Sequence, residues 1–197
     1  MNKDILILID AGHGEGNVNA SPDGSVREYA YAREIAAAVV DGLTARGVNA
    51  KLLNTEIRDV PLARRVTRAN AACKNYGPEN VLLVSIHLNA AGRGGWHSAT
   101  GWQVCVGRTA SRSSKLAASH LAAAAESAGL KVRRQLPGQD WWAQQLYLLE
   151  ASRCPAVLTE NLFQDNREDC AFLLSDKGRK AIADLHISGI VNYINGR

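Results

Sequence analysis

Five apolar residues in a row, Ile5 to Ile9, run directly into Asp10-Ala11-Gly12. A short unbroken run closed by a glycine predicts a strand covered on both faces. A loop rich in Gly, Asn and Ser follows, from Gly12 to Ser25. The hydrophobic period then changes. Ile35, Val39 and Leu43 fall on one face of a helix predicted from Glu28 to Arg46, with Gly47 as its stop. Val48 to Leu53 reads as a second strand. Pro61 suits the first turn of a helix reaching Lys74, and Val81 to Ile86 is another buried strand.

Beyond a Gly-rich loop from Asn89 to Thr100, Gly101 to Val106 predicts a strand. Ser113 to Ser127 predicts an Ala-rich helix closed by Gly129. Gln145 to Leu149 and Ala156 to Thr159 read as strands, and helices are expected at Arg167 to Leu174 and Lys177 to Ile194. Strands alternating with helices predict an α/β fold: a three-layer αβα sandwich around a mostly parallel twisted sheet of about six strands. At 197 residues, with no repeat and no linker, the chain reads as a single domain, 1–197.

Composition narrows the partners. The net charge of +4 suits an anionic polymer as well as it suits an ordinary solvated surface. The absence of any Lys/Arg-rich run argues against nucleic acid. The opening apolar stretch is too short to span a membrane and lacks a leader's cleavage site, so no membrane insertion and a cytoplasmic start are expected. Cys73, Cys105, Cys154 and Cys170 form no Cys-x-x-Cys pair, which argues against a zinc knuckle and for reduced, buried thiols.

Open α/β sheets place their sites at the C-terminal ends of strands. His13 follows the first strand, His87 the strand beginning at Val81, and Glu160 the strand beginning at Ala156, while Glu28 opens the first helix. Two histidines and two carboxylates at one sheet edge have the composition of a catalytic zinc site. Each also has an ordinary reading: a loop histidine, a histidine satisfied by backbone, an acid favoured by the helix macrodipole.

Taken in order, Asp10-Ala11-Gly12-His13-Gly14, then Glu28, then Ser85-Ile86-His87-Leu88-Asn89-Ala90, then Pro155 to Phe163 with Glu160, resemble the zinc N-acetylmuramoyl-L-alanine amidases of the type 3 class. The likeness spans nearly the whole chain and takes in Val60-Pro61-Leu62, Arg65, Ala69-Asn70, Asn166 and Asp169. The resemblance implies zinc held by His13, Glu28 and His87, with Glu160 as general base for hydrolysis of the amide between N-acetylmuramic acid and L-alanine in peptidoglycan. Ala11 replaces the usual proline, and Ser21 to Tyr29 is similar to the phage-lysin branch. Glu15 and Asp23 share that loop with Glu28.

Several expectations follow. The domain is catalytic, without a separate wall-binding domain, and is expected to be a monomer acting on glycan strand and stem peptide. It is expected to wait in the cytoplasm until released to the wall. No spare helix is read between His87 and Glu160, so the groove should be open. Asn89 could bond the stem peptide or shape a turn. Arg65 could bind a stem carboxylate or form an ion pair within its helix. Trp141, with Trp96 and Trp142, could flank the groove or simply pack. His97 is expected at the surface, and His120 and His186 on helices as surface or core residues. A zinc peptidase or deacylase would use the same residues, and a non-catalytic wall-binding module would lack one of them.

Overall fold

Alternate side chains of β1 (Leu6–Ala11) enter opposite faces of a six-stranded sheet in the computed structural model, which describes residues 5–197. Met1–Asp4, on which the expectation of no targeting segment partly falls, lie outside the described residues. The strand order is β2 (Asn49–Leu52), β1, β3 (Val81–Asn89), β6 (Ala156–Phe163), β4 (Gln103–Val106), β5 (Trp142–Ala143). β2, β1, β3 and β6 are parallel neighbours. β4 joins β6 antiparallel, and β5 joins β4 in parallel. The sheet is mixed and mostly parallel, as the alternation of elements predicts.

Helices cover both faces. Ile7 and Ile9 of β1 and Leu82, Val84 and Ile86 of β3 share one core with α1 (Glu28–Thr44), α3 (Arg112–Ser127) and α6 (Asp176–Asn195). Leu6 and Leu8, with Val81 and Leu83, share the other with α2 (Leu62–Tyr76) and α4 (Tyr147–Ala151). α5 (Arg167–Leu174) packs on α6 and β6. All four cysteines are buried free thiols.

Two expectations change. Gln145 to Leu149 is no strand: Leu146 O accepts from Leu149 N and Glu150 N, which winds Tyr147–Ala151 into the short helix α4. A strand would send Leu148 and Leu149 to opposite faces. The helical turn lets both enter the same core. The interval between His87 and Glu160 therefore does hold one more helix than expected, but it packs on α2 and β6 as part of that layer. Second, β3 and β6 run further than their apolar stretches, so His87 and Glu160 lie inside strands.

Candidate metal centre

Three neighbouring strands change character at the same level on the α2 face of the sheet. Leu6 and Leu8 give way to Asp10, Val81 and Leu83 to Ser85 and His87, and Ala156 and Leu158 to Glu160. Register aligns the polar ends, pairing Asp10 with Ser85 and His87 with Glu160. The first turn of α1 brings Glu28 to the same edge, where its side chain is buried.

The donor atoms of His13, Glu28 and His87 lie within 4.8 Å of one another. Glu28 Oε1 is 3.3 Å from His13 Nε2 and 3.0 Å from His87 Nδ1. Tetrahedral zinc with ligands at about 2.0–2.1 Å separates its ligands by roughly 3.3 Å, so these residues fit that ion in donor type and spacing. The two imidazoles meet edge to face, with ring centroids 5.0 Å apart. Glu28 is buried and His13 is 29% exposed, which leaves the cluster open on one side.

Backbone geometry holds His13 in place. Its φ of 57° lies in the left-handed region, an uncommon position for a non-glycine residue. Its carbonyl accepts from Arg33 Nη2 at 3.0 Å and Arg65 Nη2 at 2.8 Å, which fixes the strained turn from behind. Gly12 is needed for close approach, since a Cβ there would stand 2.5 Å from the His87 ring. Asn17 Nδ2 lies 3.0 Å from His13 Nδ1. Asn19 Nδ2 donates to Glu28 Oε2 at 2.9 Å.

Glu160 stands apart from the three ligand candidates. Its Oε2 is buried with no hydrogen-bond partner. Burial, and then the charge of Glu28, raise its carboxyl well above the usual carboxylate range. Glu28 goes the other way. Burial opposes its ionisation most strongly, but hydrogen bonds and charge from His13 and His87 together outweigh that and hold its carboxyl far below the ordinary value. Two carboxylates pushed in opposite directions are a frequent mark of divided roles. A divalent cation in the cluster would offset the charge of Glu28 and favour the ionised form of Glu160. Behind it, Asn161 donates to His87 O at 2.9 Å and accepts from Trp102 Nε1 at 2.7 Å, locking β6 to β3 next to the site.

The other sequence candidates divide. Arg65 is buried and makes the structural ion pair, 2.7 Å from Asp10, with further bonds to Val60 O and Ala11 O. Its guanidinium faces inward, so the stem-carboxylate reading of Arg65 is corrected. Asn89 is half-buried, and its Oδ1 accepts from Ala90 N at 2.9 Å, the turn role. Trp141 is half-buried against the larger core, one residue before β5, and thus two strands away from Glu160. Glu15 and Asp23 are exposed and lie outside the cluster. Ser85, Arg33 and Asn19 were not singled out from sequence. Ser85 had one usable signal, a hydroxyl on the same strand face as His87 two residues on.

A family model described as N-acetylmuramoyl-L-alanine amidase matches residues 7–192, which include all four site residues. The chain belongs to that amidase family. Relatives of this amidase domain include the endolysin of Bacillus phage SPP1, 30% identical over 192 residues, covering 96% of this chain and 66% of that protein. The N-acetylmuramoyl-L-alanine amidase CwlM of Bacillus licheniformis is 27% identical, covering 97% of this chain and 69% of CwlM. The chain thus spans about two thirds of the length of these relatives. Its fold matches an N-acetylmuramoyl-L-alanine amidase from Clostridium difficile 630, with a TM-score of 0.84 at 21% identity over 100% of both chains. It also matches the amidase Ami1 from Mycobacterium smegmatis, with a TM-score of 0.85 at 18% identity over 98% of both.

Proposed function

We propose that this amidase domain hydrolyses the amide between N-acetylmuramic acid and L-alanine in peptidoglycan, with zinc held by His13, Glu28 and His87 and Glu160 as general base. The observation that carries this reading is the set of three converging donors with the unpartnered Glu160 carboxylate one strand away, in register with His87. Family membership supports the choice of amide.

When bound, zinc would supply polarisation of the scissile carbonyl and a water acidified toward neutrality. His13, Glu28 and His87 would hold the ion, and the exposed side of His13 leaves room for water and substrate. Glu160 accepts the proton from the attacking water at a carboxylate oxygen. It then delivers that proton to the L-alanine nitrogen as the C–N bond breaks, so that the leaving group departs as a neutral amine. The apolar residues Ala156, Val157 and Leu158 before it and the Asn161 lock after it fix its backbone, which geometry-dependent proton transfer requires.

The endolysin relative suggests a setting in wall lysis. Among the described residues no helix is long and apolar enough to cross a membrane. Contact with the wall is proposed to follow release, as a monomer. Half-exposed Asn89 and Trp141 remain proposed contacts for the stem peptide and glycan.

Digestion of purified cell walls tests the reading. New lactyl ends on the glycan together with free L-alanine amino termini, identified by mass spectrometry, are expected. New termini inside the stem peptide, or loss of acetyl groups alone, would replace the amidase reading with a zinc peptidase or deacylase. No new ends with metal-loaded protein would leave a wall-binding module.

A further inference from the structure

The two ring nitrogens of His87 face different partners. Nδ1 looks into the ligand cluster, 3.0 Å from Glu28 Oε1. Nε2 looks back under the sheet edge, 3.1 Å from Ser85 Oγ. Ser85 Oγ is in turn 2.6 Å from Asp10 Oδ2. The other oxygen, Asp10 Oδ1, accepts from Arg65 Nη1 at 2.7 Å and Asn54 Nδ2 at 2.6 Å. Asp10 and Ser85 are fully buried, and Arg65 and Asn54 nearly so, so water does not interrupt the chain of bonds.

Donor counting then fixes each proton. A carboxylate paired with a guanidinium only accepts, so the single Ser85 hydroxyl proton goes to Asp10. Ser85 Oγ has only lone pairs left to offer His87. Nε2 must therefore be the donor to Ser85, and a cation held in the cluster would take the lone pair of Nδ1, the nitrogen that faces the Glu28 carboxylate. We propose that Asp10 and Ser85 are positioning residues that hold a proton on His87 Nε2 and fix the ring so that Nδ1 is presented to a metal in the cluster. The proposal rests on the zinc reading above, because Nδ1 faces the Glu28 carboxylate and only a bound cation makes its lone pair the better partner there. Sheet register produces the arrangement, because Asp10 and Ser85 are paired residues on one face and His87 follows Ser85 by one strand period.

Asp10→Asn gives the sharper test. Arg65 and Asn54 both donate to the inner oxygen, so the new amide must turn its Nδ2 toward Ser85. Ser85 then has to donate to His87 Nε2, and the imidazole proton moves to Nδ1, where the metal would bind. Ser85→Ala removes the relay without reversing it and leaves the Asp10–Arg65 pair intact. Ser85→Thr keeps the hydroxyl.

Two measurements decide the matter. The first is zinc affinity by competition with a chromogenic chelator. Partners behind a metal ligand typically change affinity about 10–100-fold. A loss in that range is expected for Ser85→Ala, a larger one for Asp10→Asn, and recovery of most of the affinity for Ser85→Thr. The second is the ¹⁵N spectrum of the His87 ring in protein saturated with zinc. It should show the proton on Nε2 and the metal on Nδ1 in the wild type, and that pattern should be lost in Asp10→Asn. Wild-type affinity in Ser85→Ala, or an unchanged His87 tautomer in Asp10→Asn with the fold intact by melting temperature, would overturn the proposal. Wild-type protein that takes up no zinc would sink the metal reading itself, whereas zinc uptake with unchanged affinity in both variants would sink only the positioning role.

Discussion

His87 and Glu160 are directly paired residues on the neighbouring parallel strands β3 and β6. One is a ligand candidate and the other is an unpartnered carboxylate, and their spacing is set by the sheet itself. A base placed this way does not depend on a mobile loop for its aim. Glu160→Gln keeps the shape of the side chain but removes the acceptor, so the rate of wall lysis should fall by about 10²–10⁴-fold. Zinc content, measured by elemental analysis, should stay near wild type. Loss of zinc on this substitution would make Glu160 a ligand, and near-normal turnover would move the base elsewhere.

The carboxylates of the first loop can be separated in the same way. Glu28 is buried at the start of α1 with its Oε1 beside both histidines, whereas Glu15 is exposed. Glu28→Ala is expected to purify without zinc and Glu15→Ala with a full complement. The reverse pattern would hand the ligand role to Glu15.

How much of this was legible in the sequence depended on whether local pattern or tertiary register carried the information. The apolar runs at Ile5 and Val81 and the period of α1 announced the α/β architecture directly. His13, Glu28, His87 and Glu160 could be named because each follows an apolar run or opens a helix, and the family resemblance gave that set its roles. Gln145 to Leu149 misled because a short apolar run fits a strand or a helix equally well, and only the shared burial of Leu148 and Leu149 decides between them. The inward role of Arg65 and the Asp10–Ser85 contact arise from residues 55 and 75 positions apart in sequence, which no local pattern shows.

Arg65 offers a stability test. Its guanidinium neutralises buried Asp10 and also bonds the carbonyls of Val60, Ala11 and His13. Arg65→Met fills similar space but leaves Asp10 without its cation. Breaking a buried pair from one side costs about 3–5 kcal/mol. For a domain of this size the melting temperature should fall by on the order of 10 °C. A change within a degree or two would mean that Asn54, whose amide also donates to Asp10, or water compensates for more of the lost cation than the burial of Asp10 suggests.

His186 makes the clearest pH prediction away from the site. It is fully buried on α6, with Nδ1 donating to Ile182 O at 2.7 Å and Nε2 2.9 Å from the hydroxyl of Thr159, the residue before Glu160. Burial lowers its pKa from 6.5 to about 4, and the bond to Ile182 opposes that only in part. The neutral form is therefore the one that fits. Above pH 6.5 neither folded nor unfolded protein protonates this ring, and its contribution to stability is fully present. As pH falls from 6.5 toward 4 the unfolded chain takes up a proton that the folded chain refuses, so stability is lost across that window. At about 1.36 kcal/mol per pH unit the loss amounts to about 3 kcal/mol. Urea unfolding of wild type and His186→Leu between pH 7 and pH 4 isolates the effect, because other titrating groups largely cancel in the difference. The variant should start less stable, since Thr159 loses a partner, and should then fall less steeply than wild type by about that amount. Parallel slopes for the two proteins would show that His186 takes up its proton in the folded state and that the layer beneath Glu160 yields to a charge.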